Sequence, residues 1–63
     1  MAENKLKSIR VLKGITQKGL AKTLNITPQY LSKIESGKID IKLSMLKEIA
    51  KALDVSIFDL IED

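Results

Sequence analysis

The chain has 63 residues, of which 44% are hydrophobic and 30% charged, with no cysteine, no histidine and a formal net charge of +3. One domain, spanning residues 1–63, with a small core of marginal stability is what that length allows; without Cys or His, neither a disulfide nor a zinc site can staple it, so it must rely on helix packing, aided by self-association. No apolar run approaches the ~20 residues of a membrane span, and MAENKLKSIR lacks the apolar segment of a signal peptide, so a cytoplasmic chain with no membrane contact is expected.

The periodicity is helical nearly throughout. Leu6, Ile9 and Leu12 step by three along a first helix, roughly residues 3–13, closed by Gly14. Thr16 can cap a second helix whose inner face is Leu20, Ala21 and Leu24. Asn25 sits in the turn that follows, and Asn tolerates positive φ better than most residues. Thr27 is an N-cap candidate, and Pro28 takes the first position of a third helix, about residues 28–36, where its missing N–H is no loss. Leu31 and Ile34 face inward and Gly37 ends the helix. KIDIK reads as a loop, since a lone alternating stretch has no strand to pair with. A fourth helix, about 43–53, carries Leu46, Ile49, Ala50 and Leu53 inward. Ser56 and Asp59 form a capping box for a short last helix, in which Ile57, Leu60 and Ile61 should face the core and Phe58 should point outward. The expected fold is all-α, a compact bundle of five short helices.

Charge divides unevenly along this order. Through Lys38 there are eight basic residues and two acids, a net of +6; beyond it there are three basic residues and six acids, a net of −3. A polyanion would approach the first half and be repelled by the second. The second and third helices, joined by a three-residue turn, should pack at a steep angle and let the third protrude. Its outward residues, Pro28, Gln29, Ser32, Lys33 and Ser36, are small or hydrogen-bonding, which suits the DNA major groove. The N-termini of both helices also offer backbone N–H groups to phosphates.

The residues Arg10…Lys13-Gly14, Thr16-Gln17…Leu20-Ala21, Leu24-Asn25-Ile26-Thr27, Leu31-Ser32-Lys33-Ile34-Glu35-Ser36-Gly37-Lys38 and Leu46…Ile49-Ala50-Lys51-Ala52-Leu53-Asp54-Val55-Ser56 together resemble the Cro and lambda-repressor-like helix-turn-helix domains, the XRE family. The resemblance runs from about residue 6 to 61. It implies sequence-specific binding to double-stranded DNA by a transcriptional regulator, with the third helix in the major groove. DNA-contacting positions implied by it are Gln17, Thr27, Pro28, Gln29, Tyr30, Ser32, Lys33 and Lys38. Gln17 would meet a phosphate, Gln29 would read adenine, Lys33 would meet guanine or a phosphate, Tyr30 a phosphate or a thymine methyl, and Lys38 the backbone. Arg10 and Glu35 would pair across helices one and three. Related domains bind two-fold-related half-sites as dimers, which makes Phe58, with Val55 nearby, the expected contact of a weak homodimer stabilised on DNA.

The chain departs from the family pattern at several places. Gly19 replaces a usual helix former, Ile41 and Lys42 stand where proline and a capping serine are common, and Phe58 replaces a charged residue. Ile39 is expected to be apolar and exposed. With Phe58 it sustains an alternative, a protein-interaction module of the same fold, antitoxin- or adaptor-like. An enzyme is not expected: His and Cys, the commonest base and the thiol nucleophile, are missing, and the acids Asp59, Glu62 and Asp63 cluster at a chain end. No cofactor or metal is implied.

Overall fold

The structure, a computed structural model, describes residues 5–61. Five helices follow one another: α1 (Leu6–Leu12), α2 (Gln17–Leu24), α3 (Pro28–Glu35), α4 (Leu43–Leu53) and α5 (Ile57–Leu60), with no strand among the described residues. The start expected for α1, at residues 3 and 4, lies outside the described residues, as do Glu62 and Asp63.

Every helix contributes to the core. It consists of Leu6 from α1, Leu20 and Ala21 from α2, Leu31 and Ile34 from α3, Ile49, Ala50 and Leu53 from α4, and Leu60 from α5. Helix α2 packs on both α3 and α4, and α4 packs on α5. The Lys5 N–H donates to the Leu60 carbonyl at 3.2 Å, so the start of α1 is tied to the end of α5.

The helix starts are capped as the side chains dictate. Thr16 Oγ1 accepts from the Gly19 N–H at 2.9 Å and Thr27 Oγ1 from the Tyr30 N–H at 3.1 Å. Ser56 Oγ accepts from the Asp59 N–H while Asp59 Oδ2 accepts from the Ser56 N–H, completing the capping box of α5. Lys42 precedes α4 without a side-chain cap, as expected of a lysine there. At Gly19 an added Cβ would stand 3.0 Å from Thr16 Oγ1, close enough that the cap would have to give by a few tenths of an ångström.

The helix ends share one device. Gly14, Asn25, Gly37 and Asp54 all take positive φ. The N–H just beyond each then reaches back to an orphan carbonyl: Ile15 to Arg10, Ile26 to Ala21, Lys38 to Lys33 and Val55 to Ala50, at 2.9–3.1 Å. This six-to-one closure normally places an apolar side chain back against the helix. Ile15, Ile26 and Val55 do so, half-buried against the core. Lys38 does not, and is exposed.

Three expectations need correction. Leu12 is 84% exposed. Repeated steps of three drift by about 60° each around a helix of 3.6 residues per turn, so two steps carry Leu12 off the face of Leu6, and Arg10 takes the inward place. Ile61 is 45% exposed because α5 stops at Leu60 and Ile61 is extended, with φ −92° and ψ 133°. Ile39 is half-buried, not exposed, and packs on the core with Ile41. The alternation in KIDIK carries into the loop: both isoleucines are half-buried, while Lys38, Asp40 and Lys42 are exposed. Phe58 is 84% exposed, as expected, whereas Val55 is half-buried.

Two aspartates at opposite helix ends should respond oppositely to the same change. Asp54 lies at the carbonyl end of α4, where a negative charge is unfavourable, and Asp59 lies in the first turn of α5, where it is favourable. Asp54→Asn should raise stability by up to about 1 kcal/mol, a few degrees in Tm for a domain of this size, while Asp59→Asn should lower it. Thermal melts at low salt check this, and equal shifts in the same direction would remove the helix-end explanation.

Candidate nucleic-acid interface

Arg10 and Glu35 are the two buried charged residues among those described, 7% and 6% exposed. Arg10 Nε donates to Glu35 Oε2 at 2.6 Å and Nη2 to Oε1 at 3.3 Å. The third guanidinium nitrogen, Nη1, donates to the Ile15 carbonyl at 2.8 Å. Gln17 Nε2 donates to Glu35 Oε1 at 3.1 Å. One carboxylate on α3 therefore holds α1 through Arg10 and the start of α2 through Gln17. The Ile15 carbonyl closes the arrangement through the loop between them. No buried side-chain nitrogen or oxygen is left without a partner among the described residues.

This clamp sets which face of α3 is free. Leu31, Ile34 and Glu35 turn inward. Pro28, Gln29, Tyr30, Ser32, Lys33 and Ser36 are exposed, as are Thr27 before the helix and Lys38 after it. The only acid of α3 is thereby removed from the exposed face, which keeps a lysine and three hydrogen-bonding side chains besides Tyr30. Thr27 spends its oxygen capping the Tyr30 N–H, and Ser36 Oγ donates to the Lys33 carbonyl at 3.2 Å. Tyr30 is 42% exposed. Gln17 stands apart from the others: it is half-buried and its amide is engaged with Glu35.

The turn between α2 and α3 comes from three residues with separate tasks. Asn25 adopts φ 61°, Ile26 is anchored on the core, and Thr27 opens α3 with φ −81° and ψ 152°. The N–H groups of Gln17 and Lys18 on α2, and of Gln29 on α3, precede the first intrahelical bonds and stay available to a ligand.

Two features of the site escape a reading of the residues alone. The link from Gln17 to Glu35 depends on the angle between α2 and α3, which local spacing does not reveal. Lys7 of α1 lines a polar groove of about 210 Å³ together with Gln17, Ser32, Glu35 and Ser36. The one available signal was that Lys7 precedes Arg10 by three residues and so shares its side of α1. Among the described residues no group of three or more acids could hold a metal, and no helix is long and apolar enough to cross a membrane.

The clamp has a stability consequence that a double-mutant cycle resolves. Removing one member of a buried pair strands the other, at about 3–5 kcal/mol. A domain of this length has a total stability of only roughly 3–9 kcal/mol. Arg10→Met and Glu35→Leu should therefore each bring the fold near collapse, and the double mutant should be more stable than either. Urea melts measure the three proteins, and strictly additive losses would show that the two residues do not interact.

Comparison with known proteins agrees with this geometry. A helix-turn-helix family model matches residues 6–60. An uncharacterized HTH-type transcriptional regulator of Methanocaldococcus jannaschii is 43% identical over 58 residues, 92% of this chain and 88% of that protein. The crystal structure of the clp gene regulator ClgR from Corynebacterium glutamicum matches with TM-score 0.82 and 35% identity, covering 86% of this chain and 70% of the other. A putative DNA-binding protein from Bacteroides fragilis matches with TM-score 0.91 and 29% identity, covering 98% of this chain and 100% of the other. The matched family consists of DNA-binding regulators rather than enzymes. The chain belongs to this helix-turn-helix family, of Cro/C1 type, and is a DNA-binding protein of transcription regulation.

Proposed function

We propose that residues 1–63 act as one domain in the cytoplasm, and that two copies bind two-fold-related half-sites on double-stranded DNA with α3 of each in the major groove. The observation that carries this is the exposed face of α3, hydrogen-bonding and free of acid because Glu35 is locked inside. In this arrangement Gln29 presents its amide to adenine N6 and N7, and Lys33 meets guanine or a phosphate. Pro28 and Ser32 lie against the groove wall. Tyr30 reaches a phosphate or a thymine methyl, and Thr27 and Gln17 lie by the phosphates at the starts of α3 and α2, where the unpaired N–H groups add to the attraction. Lys38 holds the backbone beyond α3. Its failure to fold back as the other three closing residues do supports that role.

The reading separates base contacts from phosphate contacts. With a duplex chosen by selection from random sequence, Gln29→Ala should lose about 1–3 kcal/mol on the selected site and almost nothing on random duplex. Lys38→Ala should weaken both and flatten the plot of log affinity against log salt by about one unit. Equal losses for Gln29→Ala on both duplexes would end its base-reading role. Binding to random duplex that does not weaken with salt would favour an interaction module instead.

One α3 reads only a few base pairs, and half-site centres one helical turn apart, about 34–36 Å, call for two domains. Phe58, 84% exposed on α5, supports a contact there between two copies. Val55 is mostly turned to the core and would contribute only at the edge of it. An area this small holds the free dimer weakly, and DNA supplies the rest. Sedimentation should show monomers without DNA and two copies on a full site, with Phe58→Asp losing the cooperativity. Unchanged cooperativity in Phe58→Asp would exclude α5 as the contact.

A further inference from the structure

We propose that Lys7 of α1 is a DNA-backbone contact, gripping one phosphate in the groove between α1 and α3 with the Ser32 hydroxyl and the Gln17 amide. This rests on the placement of α3 in the major groove argued above. It adds α1 to an interface otherwise assembled from α2, α3 and the loop after α3.

The groove has the chemistry of a phosphate seat. Each of its lining residues, Lys7, Gln17, Ser32, Glu35 and Ser36, carries a polar or charged group, although the stems of these side chains also contribute apolar surface. Lys7 is exposed and has no acidic partner among the described residues. Ser32 is exposed and its hydroxyl has no hydrogen-bond partner among the described residues, so its O–H can donate. Gln17 gives one amide hydrogen of Nε2 to Glu35, which leaves the second for a ligand and fixes the amide so that Nε2 cannot exchange places with its oxygen. Ser36 contributes no donor, since its proton is given to the Lys33 carbonyl.

Glu35 would repel an anion if it stood alone. Its carboxylate is matched by the Arg10 guanidinium, with Nε 2.6 Å from Oε2, and is 6% exposed. The charge presented at the groove is therefore that of Lys7. At about 210 Å³ and open to solvent on one side, the groove can admit a phosphate group.

Position along α3 fits this assignment. Pro28, Ser32 and Ser36 form one row at intervals of four, on the side of Gln17 and Lys7. Gln29 and Lys33 form the adjacent row. When the second row meets base edges, the first row lies against the groove wall, where the phosphates are. A lysine rising from α1 beside that row meets backbone, not bases, so its contribution is independent of sequence.

The test compares Lys7→Gln with Lys51→Gln, which removes the same charge from the last turn of α4. Both positions are exposed, and thermal melts verify that each variant is folded. On a random-sequence duplex, Lys7→Gln should reduce the slope of log affinity against log salt by about 0.9, equivalent to roughly eight-fold weaker binding at 0.1 M salt for curves that meet at 1 M. Lys51→Gln should leave the slope near that of the wild type, and Lys7→Arg should restore it. The Lys7 side-chain resonances should shift with duplex and stay in place with inorganic phosphate at the same phosphate concentration. A slope for Lys7→Gln equal to that for Lys51→Gln overturns the contact while leaving the DNA-binding reading intact. An equal shift with inorganic phosphate overturns the backbone as its source. Wild-type binding that lacks any salt dependence overturns both readings together.

Discussion

The bond between Arg10 and Glu35 is the constraint on which the rest of the molecule depends. Helix α3 has eight residues, too few to persist in water by itself, so its existence and its orientation both come from packing. Leu31 and Ile34 supply the packing, but apolar contacts are non-directional and tolerate small rotations of a helix about its axis. A bidentate pair with 2.6 Å and 3.3 Å contacts does not. It selects one rotation of α3, and that rotation decides which residues reach solvent. A buried ion pair is a weak source of net stability, because desolvation offsets the attraction. Its effect here is to define the geometry of an exposed surface, and Gln17 extends that geometry to the start of α2.

The remaining backbone groups are satisfied by repetition of one device. Four of the five helices finish with a residue of positive φ and an N–H that turns back onto an orphan carbonyl. Three of these turns also bring an apolar residue onto the core, so each helix end supplies both a cap and a packing contact. A chain this short has little apolar area to bury, and such double use is how loops between its helices add to the core. Ile39 and Ile41 do the same for the connection between α3 and α4.

Much of this was legible in the residues. Gly14, Asn25 and Gly37 mark helix ends because few other residues take positive φ, while Thr16, Thr27-Pro28 and Ser56 with Asp59 mark helix starts through local hydrogen bonds. These signals act within four residues, so tertiary context does not alter them. The misreadings all required knowledge of where a chain segment lies. Leu12 lies about 200° around α1 from Arg10, so burying the arginine against the Glu35 carboxylate leaves the leucine in solvent. Ile61 follows a helix that ends one residue early. At the interface, exposure of the α3 face followed from helical spacing, whereas the engagement of Gln17 and the groove beside Lys7 arise only once three helices are assembled.

The same assembly explains how a domain with six acids after residue 38 still presents a surface suited to a polyanion. The acids Asp40, Glu48, Asp54 and Asp59 belong to the loop after Lys38 and to the elements beyond it, and Glu35, the acid that α3 itself carries, is neutralised inside. Had Glu35 been turned outward, it would stand among Ser32, Ser36 and Lys7 and oppose any phosphate approaching α3. Pairing it with Arg10 removes that repulsion and at the same time withdraws one positive charge from the surface. Lys7, Lys33 and Lys38 remain exposed, so the uncompensated charge around α3 is positive. The clamp thus sets shape and field together: the rotation that buries Glu35 is also the one that exposes the hydrogen-bonding face, so no separate device is required to make the recognition helix electropositive.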